Sequence, residues 1–593
     1  MSRGNHSSPN PLTRVLSLGL AACLLCIFVY LVVMNKTAVP AAPAETPDMS
    51  LSVTETPAPT PETPVETPEI TEPVVTEPVV TEPPYVFEPY CTEETDPTNF
   101  IKTVGIQVNG EKLGEEDVYE PIDLITFGDG KDYTDVNGII TFRGDNYRTN
   151  ASYGTIDPIN YDLSGVWSKA TASLTYNGAT WTGSGWTGQP LIVKWPKEMK
   201  QIMNMHDWAK NDDSVVEVIY ATMDGNIYFL DLYTGKETRD KLNMGFTFKG
   251  SGALDPRGYP ILYLGAGYDS AKGVSRAFVI SLIDFSIMYS FGNMDNFSLR
   301  GELCYFDSSA LVDAETDQLI YPGENGILYI IKLNTEFDPE AGTVSIDPDN
   351  IVKWHYYGKR TSLQSYWVGM EASATILDGY IFMTDNGGNL MCLDLNTLEL
   401  VWVQNTLDDT NVTPALSFED GHPYLYVSTS YHMGWRSWTT ADVPIWKIDA
   451  ENGEVVWEIS YKCYSESGVS GGVQSSPALG EQGLDGLVYF TISRTPSASD
   501  GLLLCLDTET GEVVWEKRTY YTWSSPVLVY EDDGTGHVVF CTYGGTMYFL
   551  DGLTGEVHDT FDMGGGAEAS PAVYEDMIVV GTRKQKIWGV KIS

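Results

Sequence analysis

The segment LLLCLDTETGEVVWEKR (residues 502–518) holds two β-rich runs joined by the turn D-T-E-T-G, and its second run reaches a tryptophan. Looser copies of the segment recur at 218–238, 381–402, 445–460 and 538–561. Turns rich in Asp, Thr and Gly between β-rich runs predict antiparallel hairpins. Their repetition predicts a fold built from many copies of one small β unit.

Three positions of the repeat have a predicted structural role. The aspartate at the end of one strand can cap the following turn, and the glycine of that turn suits a left-handed conformation. The tryptophan ends the next strand, where a large ring would be buried between neighbouring units. These residues are Asp231, Asp394, Asp449, Asp507 and Asp551, then Gly235, Gly453, Gly511 and Gly555, and finally Trp402, Trp457 and Trp515.

A phrase of small residues introduces each unit, and eight such phrases are present. Eight four-stranded antiparallel units predict an all-β, eight-bladed β-propeller over residues 161–593. The last unit lacks an outer strand, so Leu163–Lys169, with Trp167, is expected to pair beside the C-terminal strands and close the ring. The phrases are GQPLIV (188–193), SGAL (251–254), SSALV (308–312), SATIL (373–377), TPALSF (413–418), SSPAL (475–479), SSPVLV (524–529) and SPAV (570–573).

The spacing x-D-x-x-T-G-x-x-x-W at 506–515 resembles the tryptophan-docking repeat of pyrroloquinoline-quinone-like (PQQ-like) β-propellers, and the resemblance runs from about residue 160 to the end. It implies the propeller fold. The family includes quinoprotein alcohol dehydrogenases and a non-catalytic lipoprotein that assists outer-membrane protein assembly. The dehydrogenases carry two adjacent cysteines at the quinone, and no two cysteines are adjacent in this sequence. The resemblance therefore implies a non-catalytic member.

Composition excludes several other functions. The 81 acidic residues outnumber the 35 Lys and Arg residues, and the net charge of -46 would repel the phosphates of nucleic acids. The eight cysteines have neither zinc-binding nor disulfide-framework spacing. We therefore expect no nucleic-acid partner, no metal site and no cofactor, including PQQ with calcium.

The N-terminal region has the composition of an anchor and a stalk. Residues 15–34 carry no charge and are long enough for a transmembrane helix, and the arginines before them predict a cytoplasmic segment 1–14. An alternative is a lipobox that would make Cys23 a lipidated N-terminus. Residues 35–95 are rich in Thr, Pro and Glu and predict a disordered stalk. Both alternatives predict a single-pass or lipid-anchored protein at the cell membrane with an extracytoplasmic body.

Residues 96–160 predict a small β module between the stalk and the propeller, because VGIQVNGEKL (104–113) has the pattern of a hairpin. The module also contains Arg143-Gly144-Asp145, a tripeptide known from adhesion proteins. We expect instead that Arg143 and Arg148 attach this segment to the acidic propeller.

Two sets of residues are candidates for ligand binding. The residue three positions before each Pro or Ala of the eight phrases is expected to line one mouth of the central channel, where it either binds a ligand or is merely hydrated. Aromatic residues of two long insertions either bind a partner or cover the propeller face. The first set is Thr187, Gly250, Asp307, Glu371, Asn411, Gln474, Trp523 and Glu568; the second is Tyr431, His432, Trp435, Arg436, Trp438, Trp181 and Trp186.

These features together predict a non-catalytic, membrane-tethered propeller that acts as a binding or scaffolding module at the bacterial cell envelope. Its expected partner is an envelope protein or a glycan. The alternatives are a quinone-dependent oxidoreductase and a sensor of cell-wall glycans.

Overall fold

The computed structural model describes residues 86–593, apart from 115, 187, 302, 361–367, 433–435 and 466–469. Among these residues no helix is long and apolar enough to cross a membrane. The predicted span 15–34 lies outside them, as does most of the predicted stalk. The last residues of the stalk, 86–95, pack onto the propeller instead: Phe87 is buried beside Tyr380, and the N–H of Tyr90 donates to the carbonyl of Glu451.

The described residues form eight four-stranded blades, as the eight phrases predict. Each phrase enters the innermost strand of a blade, and successive strands pair antiparallel toward the outside. The strands of the first four blades, innermost first, are Leu191–Val193, Glu217–Ala221, Asn226–Asp231 and Leu242–Asn243; Ala253–Leu254, Ile261–Gly265, Ala277–Ser281 and Ile287–Phe291; Leu311–Asp313, Gln318–Pro322, Leu328–Lys332 and Asp349–Gly358; and Thr375–Leu377, Tyr380–Thr384, Asn389–Asp394 and Leu400–Asn405.

Blade 8 confirms the predicted closure of the ring. Its outer strand comes from early sequence, Leu163–Ala170, and pairs antiparallel with the C-terminal strand, with Trp167 opposite Gly589. The strands of blades 5 to 8, innermost first, are Ala415–Glu419, His422–Ser428, Thr440–Asp449 and Val455–Tyr464; Ala478–Leu479, Leu487–Ser493, Asp500–Asp507 and Val513–Tyr520; Val527–Tyr530, Gly536–Cys541, Thr546–Asp551 and Val557–Asp562; and Ala572–Tyr574, Met577–Thr582, Lys586–Ile592 and Leu163–Ala170.

Short helices, turns and strands lie in the connections between the blade strands. Two helices lie between the first two strands of blade 1, and three 3-10 turns and several short strands lie in the connections. The helices are Lys197–Ile202 and Asp207–Asn211; the 3-10 turns are Pro97–Asn99, Gly130–Asp132 and Gln482–Leu484; the paired short strands are Ser173–Tyr176 with Ala179–Thr182, Glu336–Asp338 with Thr343–Ser345, and Ser430–Tyr431 with Gly471–Gly472.

Tryptophan docking joins neighbouring blades. The indole N–H of Trp457 donates to the carbonyl of Thr508 in the next blade at 2.9 Å, and its ring covers Gly511. The same contacts recur for Trp402 over Gly453 and Trp515 over Gly555, and Trp167 over Gly235 joins blade 8 to blade 1. The glycines have φ near +70°, as predicted, and their missing side chain leaves room for the indole.

Gly511 allows a direct test of this docking. A Cβ at Gly511 would lie 2.6 Å from the Trp457 ring, whereas a Cβ at Gly564, which has almost the same φ, would have no atom within 4 Å. We expect Gly564→Ala to cost about 1 kcal/mol for the left-handed backbone alone. Gly511→Ala should cost about 1–3 kcal/mol more because the added methyl group overpacks the interface. Chemical denaturation of the two variants measures the difference, and equal losses would contradict the docking role.

Residues 96–160 do not form a separate module. Ile101–Val108 pairs with the outer strand of blade 3 over its whole length, and Glu111–Lys112 adds a further edge. The reason is that the ten-residue outer strand Asp349–Gly358 offers a free ladder edge to which the predicted hairpin can add. The hairpin is thus present, but it belongs to the propeller.

Residues 137–154, which we call the plug, pass around the channel axis and contact the innermost strand of every blade in chain order. The pairs, from blade 1 to blade 8, are Ile139 with Ile192, Ile140 with Leu254, Thr141 with Ala310, Asn146 with Ile376, Tyr147 with Leu416, Thr149 with Leu479, Asn150 with Leu528 and Ala151 with Val573. The plug includes the strands Gly138–Ile139 and Ser152–Tyr153 and occupies one end of the channel.

Arg143 and Arg148 anchor the plug, and both are completely buried. Arg143 donates to the carbonyls of Pro477 and Pro526 in blades 6 and 7, and Arg148 donates to those of Ser309 and Ala374 in blades 3 and 4. The expected attachment is therefore present, but its acceptors are main-chain carbonyls rather than acidic side chains. The adhesion alternative is wrong because a buried Arg143 cannot reach a receptor.

Candidate binding site at the channel mouth

The end of the channel opposite the plug is lined by residues of both predicted sets. Asp307, Glu371, Asn411, Gln474 and Trp523 surround one small cavity together with Trp186, which comes from the insertion before blade 1. Gly250 lies just below, where a Cβ would collide with the backbone of Asp307. Thr187 lies outside the described residues. We call this group of residues the channel mouth.

Glu568 closes the same side of the mouth. Its Oε2 accepts the backbone N–H of Trp186 at 3.2 Å and lies 3.6 Å from Nε of Arg583. Burial raises the pKa of this carboxyl, although the nearby Arg583 opposes the shift. Glu568 therefore holds Trp186 in place rather than presenting a free carboxylate.

Two indoles and two amides face the cavity. The rings of Trp186 and Trp523 meet edge to face with 5.8 Å between their centroids, and the side-chain N–H of Asn411 donates to Gln474 at 3.2 Å. Nε1 of Trp523 and Oδ1 of Asn411 are buried and have no hydrogen-bond partner among the described residues. A buried donor and a buried acceptor thus remain available at one opening, and such groups ordinarily find a partner.

A layer of charged residues that the sequence reasoning missed lies behind the mouth. The ammonium of Lys249 pairs with Asp307 and lies 4.9 Å from the centre of the Trp186 ring. Arg300 pairs with Glu324 at 3.2 Å. Asn386 donates to Glu371 at 3.2 Å and to Asp409 at 2.7 Å.

Burial and mutual repulsion disturb the ionisation of these carboxyls. Burial raises the pKa of Asp307 to about 6 in spite of Lys249. The pKa of Glu371 is raised well above its usual range by burial and by the neighbouring Glu324 and Asp409. Burial lowers the pKa of Lys249, but its carboxylate neighbours outweigh that effect and raise it, so this ammonium stays charged.

Lys249 provides a test of this charge balance. Lys249→Met removes the cation and leaves the Asp307 carboxylate buried, which should cost about 3 kcal/mol at pH 8. Because the folded-state pKa of Asp307 lies above its unfolded value, the penalty is present above the folded pKa and disappears as the pH falls and the carboxyl is protonated. Denaturation at pH 8 and pH 5.5 should therefore give a smaller loss at pH 5.5. Lys591→Met, which removes an exposed ammonium 3.0 Å from Asp576, is the control and should change little at either pH.

A loss for Lys249→Met that is the same at both pH values would contradict a role for the Asp307 charge. The double variant Lys249→Met/Asp307→Asn should recover most of the stability at pH 8, because the unpaired charge is then gone.

Trp186 of the second predicted set lies in the mouth, and most other described members of the set contact the propeller. Tyr431 is completely buried, and Arg436 donates from Nε to the buried Asp408 at 2.8 Å and so fixes its own loop. His432 lies 3.4 Å from Asp409. Trp181 packs against Tyr268 at 5.2 Å between ring centroids. Trp435 lies outside the described residues. Among the described members of the set, Trp438 alone is largely open to solvent, with 74% of its surface exposed.

Comparison with known proteins agrees with this architecture. Residues 499–593 match the family described as outer membrane protein assembly factor BamB. Quinoprotein ethanol dehydrogenase from Pseudomonas aeruginosa is 23% identical over 177 residues, which are 29% of this chain and 26% of the dehydrogenase. The match thus spans about a quarter of that relative. The repeats and the eight blades fit the PQQ-like β-propeller family.

A comparison with solved structures also supports the propeller fold through one dehydrogenase structure. A quinohemoprotein alcohol dehydrogenase from Pseudomonas putida superposes with a TM-score of 0.50 at 12% identity, covering 79% of this chain and 83% of the dehydrogenase. BamB from Moraxella catarrhalis gives a TM-score of 0.41 at 14% identity, covering 72% of this chain and 97% of BamB.

The residues at the mouth do not fit a tricyclic quinone. Such a ring needs a flat slot about 7 Å wide between two faces, which is twice the usual contact distance between carbon atoms. Trp186 and Trp523 instead meet edge to face, and the cavity between the mouth residues has a free volume of about 20 Å³. Oxygen atoms of Asp307, Glu324 and Glu371 lie within 4.8 Å of one another, but Lys249 and Arg300 already supply positive charge there.

Proposed function

We propose that the protein is a non-catalytic binding module of the bacterial cell envelope, which holds an envelope protein at the channel mouth. The observation that carries the proposal is the difference between the two ends of the channel. The plug occupies one end with main-chain contacts to six blades and side-chain contacts to blades 3 and 7, whereas the other end presents two indoles, two amides and carboxylates around an opening. Aromatic side chains beside polar groups that still need partners are typical of protein-binding surfaces.

The chemistry of the mouth favours a hydroxyl or amide group as the first contact. Trp523 Nε1 can donate one hydrogen bond and Asn411 Oδ1 can accept one. A side-chain hydroxyl or a peptide group of a partner loop supplies both an acceptor and a donor. The small free space suits a loop tip that touches the opening better than a ligand that enters the channel.

Residues 86–95 attach to the propeller away from the mouth. They contact the turn 450–453, which lies at the same end of blade 5 as the plug contacts. This segment therefore leaves the channel mouth uncovered.

Capture experiments with mouth variants test this function. Three forms of the full chain, solubilised from membranes, are photo-crosslinked in envelope fractions. They are the wild type, the mouth variant Trp523→Phe/Asn411→Ala and the control Trp438→Ala. We expect the mouth variant to lose the wild-type crosslinked protein at least about tenfold, because removing central hot-spot contacts typically costs about 2 kcal/mol or more. Trp438→Ala should keep it. Equal capture by all three proteins would contradict binding at the mouth, and sedimentation with isolated cell-wall glycan instead would favour a glycan sensor.

The quinoprotein relatives favour a second function, a quinone-dependent oxidoreductase, because their fold and repeat are shared. Incubating the full chain with PQQ and calcium distinguishes the two functions. We expect no absorbance of bound cofactor after gel filtration and no dye-linked alcohol oxidation. Stoichiometric cofactor with turnover would overturn the non-catalytic proposal.

The proposed location is tested separately. Protease added to intact cells should release the propeller by cutting within the stalk, because the body is expected outside the membrane. A body that stays protected until the cells are lysed would place it in the cytoplasm.

A further inference from the structure

The plugged end of blade 5 brings three side chains of metal-binding type together. Nε2 of His422 lies 3.1 Å from Oδ2 of Asp449, and a carboxylate oxygen of Glu451 completes a group whose three ligand atoms all lie within 4.8 Å of one another. The three residues are only partly buried. Two ligands about 2.1 Å from one metal ion lie roughly 3.0–3.4 Å apart for angles between octahedral and tetrahedral. The His422–Asp449 distance falls in this range.

The other copies of the repeat show that the fold itself does not require this arrangement. In the turns after Asp231, Asp507 and Asp551, a threonine three residues later donates both its N–H and its hydroxyl to the aspartate. Blade 5 has Asn452 at that position, and among the described residues the Asp449 side chain accepts the N–H of Glu451 through Oδ1. Its Oδ2 is therefore directed to His422.

The residues at the position of His422 also differ between blades. Asp449 pairs with Tyr424, and His422 lies two residues before Tyr424. The same rule applied to the other four aspartates gives Val215, Asp378, Asp485 and Thr535. Among the five copies of the repeat, blade 5 alone has a histidine at this position. Its aspartate is also the one without a threonine three residues later, and Glu451 follows that aspartate by two residues. Turn formation explains the aspartate in all five copies of the repeat, but it does not explain a histidine beside Asp449.

We propose that His422, Asp449 and Glu451 form a binding site for one divalent transition metal of the zinc class. An imidazole and two carboxylates are a ligand set that zinc accepts, with a fourth position for water. The ring of Tyr424, 4.8 Å from that of His422, packs beside the imidazole and limits its orientation. The nearby Lys447 donates to Glu419 and to the carbonyl of Thr508, so its charge is directed away from the site.

The same turn holds the N-terminal segment. The carbonyl of Glu451 accepts the N–H of Tyr90 at 2.8 Å, and the carbonyl of Asn452 accepts the hydroxyl of Thr95 at 2.7 Å. A metal ion bound by His422, Asp449 and Glu451 would fix this turn and with it the point where the stalk meets the propeller. The site is thus a metal-dependent clamp on residues 86–95, independent of the channel mouth.

Zinc binding by the untagged full chain tests the site. After treatment with a chelator, calorimetric titration with zinc chloride is expected to show one site per chain in the wild type. His422→Ala and Glu451→Gln should each weaken zinc binding at least about tenfold. Removal of a residue that only supports a metal ligand already costs about that much, so removal of a ligand should cost no less. His206→Ala is the matched control, because that histidine lies 3.7 Å from Asp240 in no such cluster and should leave binding unchanged.

A second histidine pair makes the test specific. Nδ1 of His537 and Nε2 of His558 lie 3.1 Å apart, but Glu531 contacts His537 through the opposite nitrogen, so only two donors face each other. Loss of the zinc site in His558→Ala and its retention in His422→Ala would overturn the proposal, as would the absence of a one-to-one site in the wild type. The clamp is checked by proteolysis: zinc should slow cleavage around residues 86–95 in the wild type but not in His422→Ala, and equal rates would contradict the clamp.

Discussion

Deletion of residues 161–170 is expected to abolish the cooperative unfolding transition of the propeller, or to lower its free energy of unfolding by more than about 5 kcal/mol. The strand Leu163–Ala170 supplies the outer ladder of blade 8 and carries Trp167, whose indole N–H donates to the carbonyl of Leu232 in blade 1 at 2.7 Å. The deletion exposes the edge of the C-terminal strand and breaks the ring between blades 8 and 1. Loss of the buried indole alone typically costs about 3–5 kcal/mol, which is comparable with the whole stability of many proteins.

A nearby hairpin provides the control for this deletion. The strands Ser173–Tyr176 and Ala179–Thr182 pair only with each other, so replacing residues 175–180 by two glycines should leave the melting temperature nearly unchanged. Trp167→Ala is the milder variant if the deletion does not fold. A propeller that melts normally without residues 161–170 would contradict closure of the ring by this strand.

Replacing both arginines of the plug is expected to have the second largest effect. Arg143 and Arg148 donate hydrogen bonds from the channel axis to carbonyls in four blades, and both are completely buried. Hydrogen bonds from a charged group contribute about 1.5–3 kcal/mol each, and a carbonyl that loses its donor in the interior has no water to replace it. Arg143→Met/Arg148→Met should therefore lower the free energy of unfolding by more than about 5 kcal/mol in chemical denaturation.

Two further variants keep this prediction testable. Arg148→Lys retains the charge but not the planar fork of donors, so an intermediate loss of about 2–3 kcal/mol is expected. Arg518→Met removes an exposed guanidinium that pairs with Asp500 and should cost less than about 1 kcal/mol. Losses of the same size for Arg148→Lys and Arg518→Met would show that the plug is not held by its arginines.

The blades could be predicted from the sequence because each blade is formed by residues that are close together in the chain. The turn aspartates, the left-handed glycines and the docking tryptophans act on residues within one or two repeats, so their spacing carries the structure. The missing outer strand of blade 8 left a free edge that had to be covered, and this requirement identified Leu163–Lys169 correctly. The position of residues 96–160 could not be predicted in this way, because Ile101–Val108 pairs with a strand some 250 residues further along the chain.

The channel mouth was predictable only in part. Equivalent positions before the inner strands led to Asp307, Glu371 and Trp523, because a propeller brings such positions to one opening. Glu324 and Asn386 lie in turns between the second and third strands, in the phrases GENG (323–326) and DNGG (385–388), and aligning these turns would have found them. Lys249 and Arg300 carry no repeat signal at all, and neither does the burial of Tyr431. These residues became recognisable only when neighbouring blades were placed side by side.

Closure by an early strand has a consequence for how the chain acquires its structure. The paired residues Trp167 and Gly589 are roughly 400 residues apart, and such distant pairings make folding slow. Seven blades can be synthesised while the ring is still open. The strand Leu163–Ala170, which completes blade 8, is synthesised before blade 1 and stays unpaired until the C-terminal strand is made. The plug, also made early, offers each new blade an inner contact in the order of synthesis. A chain that stops short of its last strand would therefore remain an open arc with two unprotected edges, vulnerable to proteases and to aggregation.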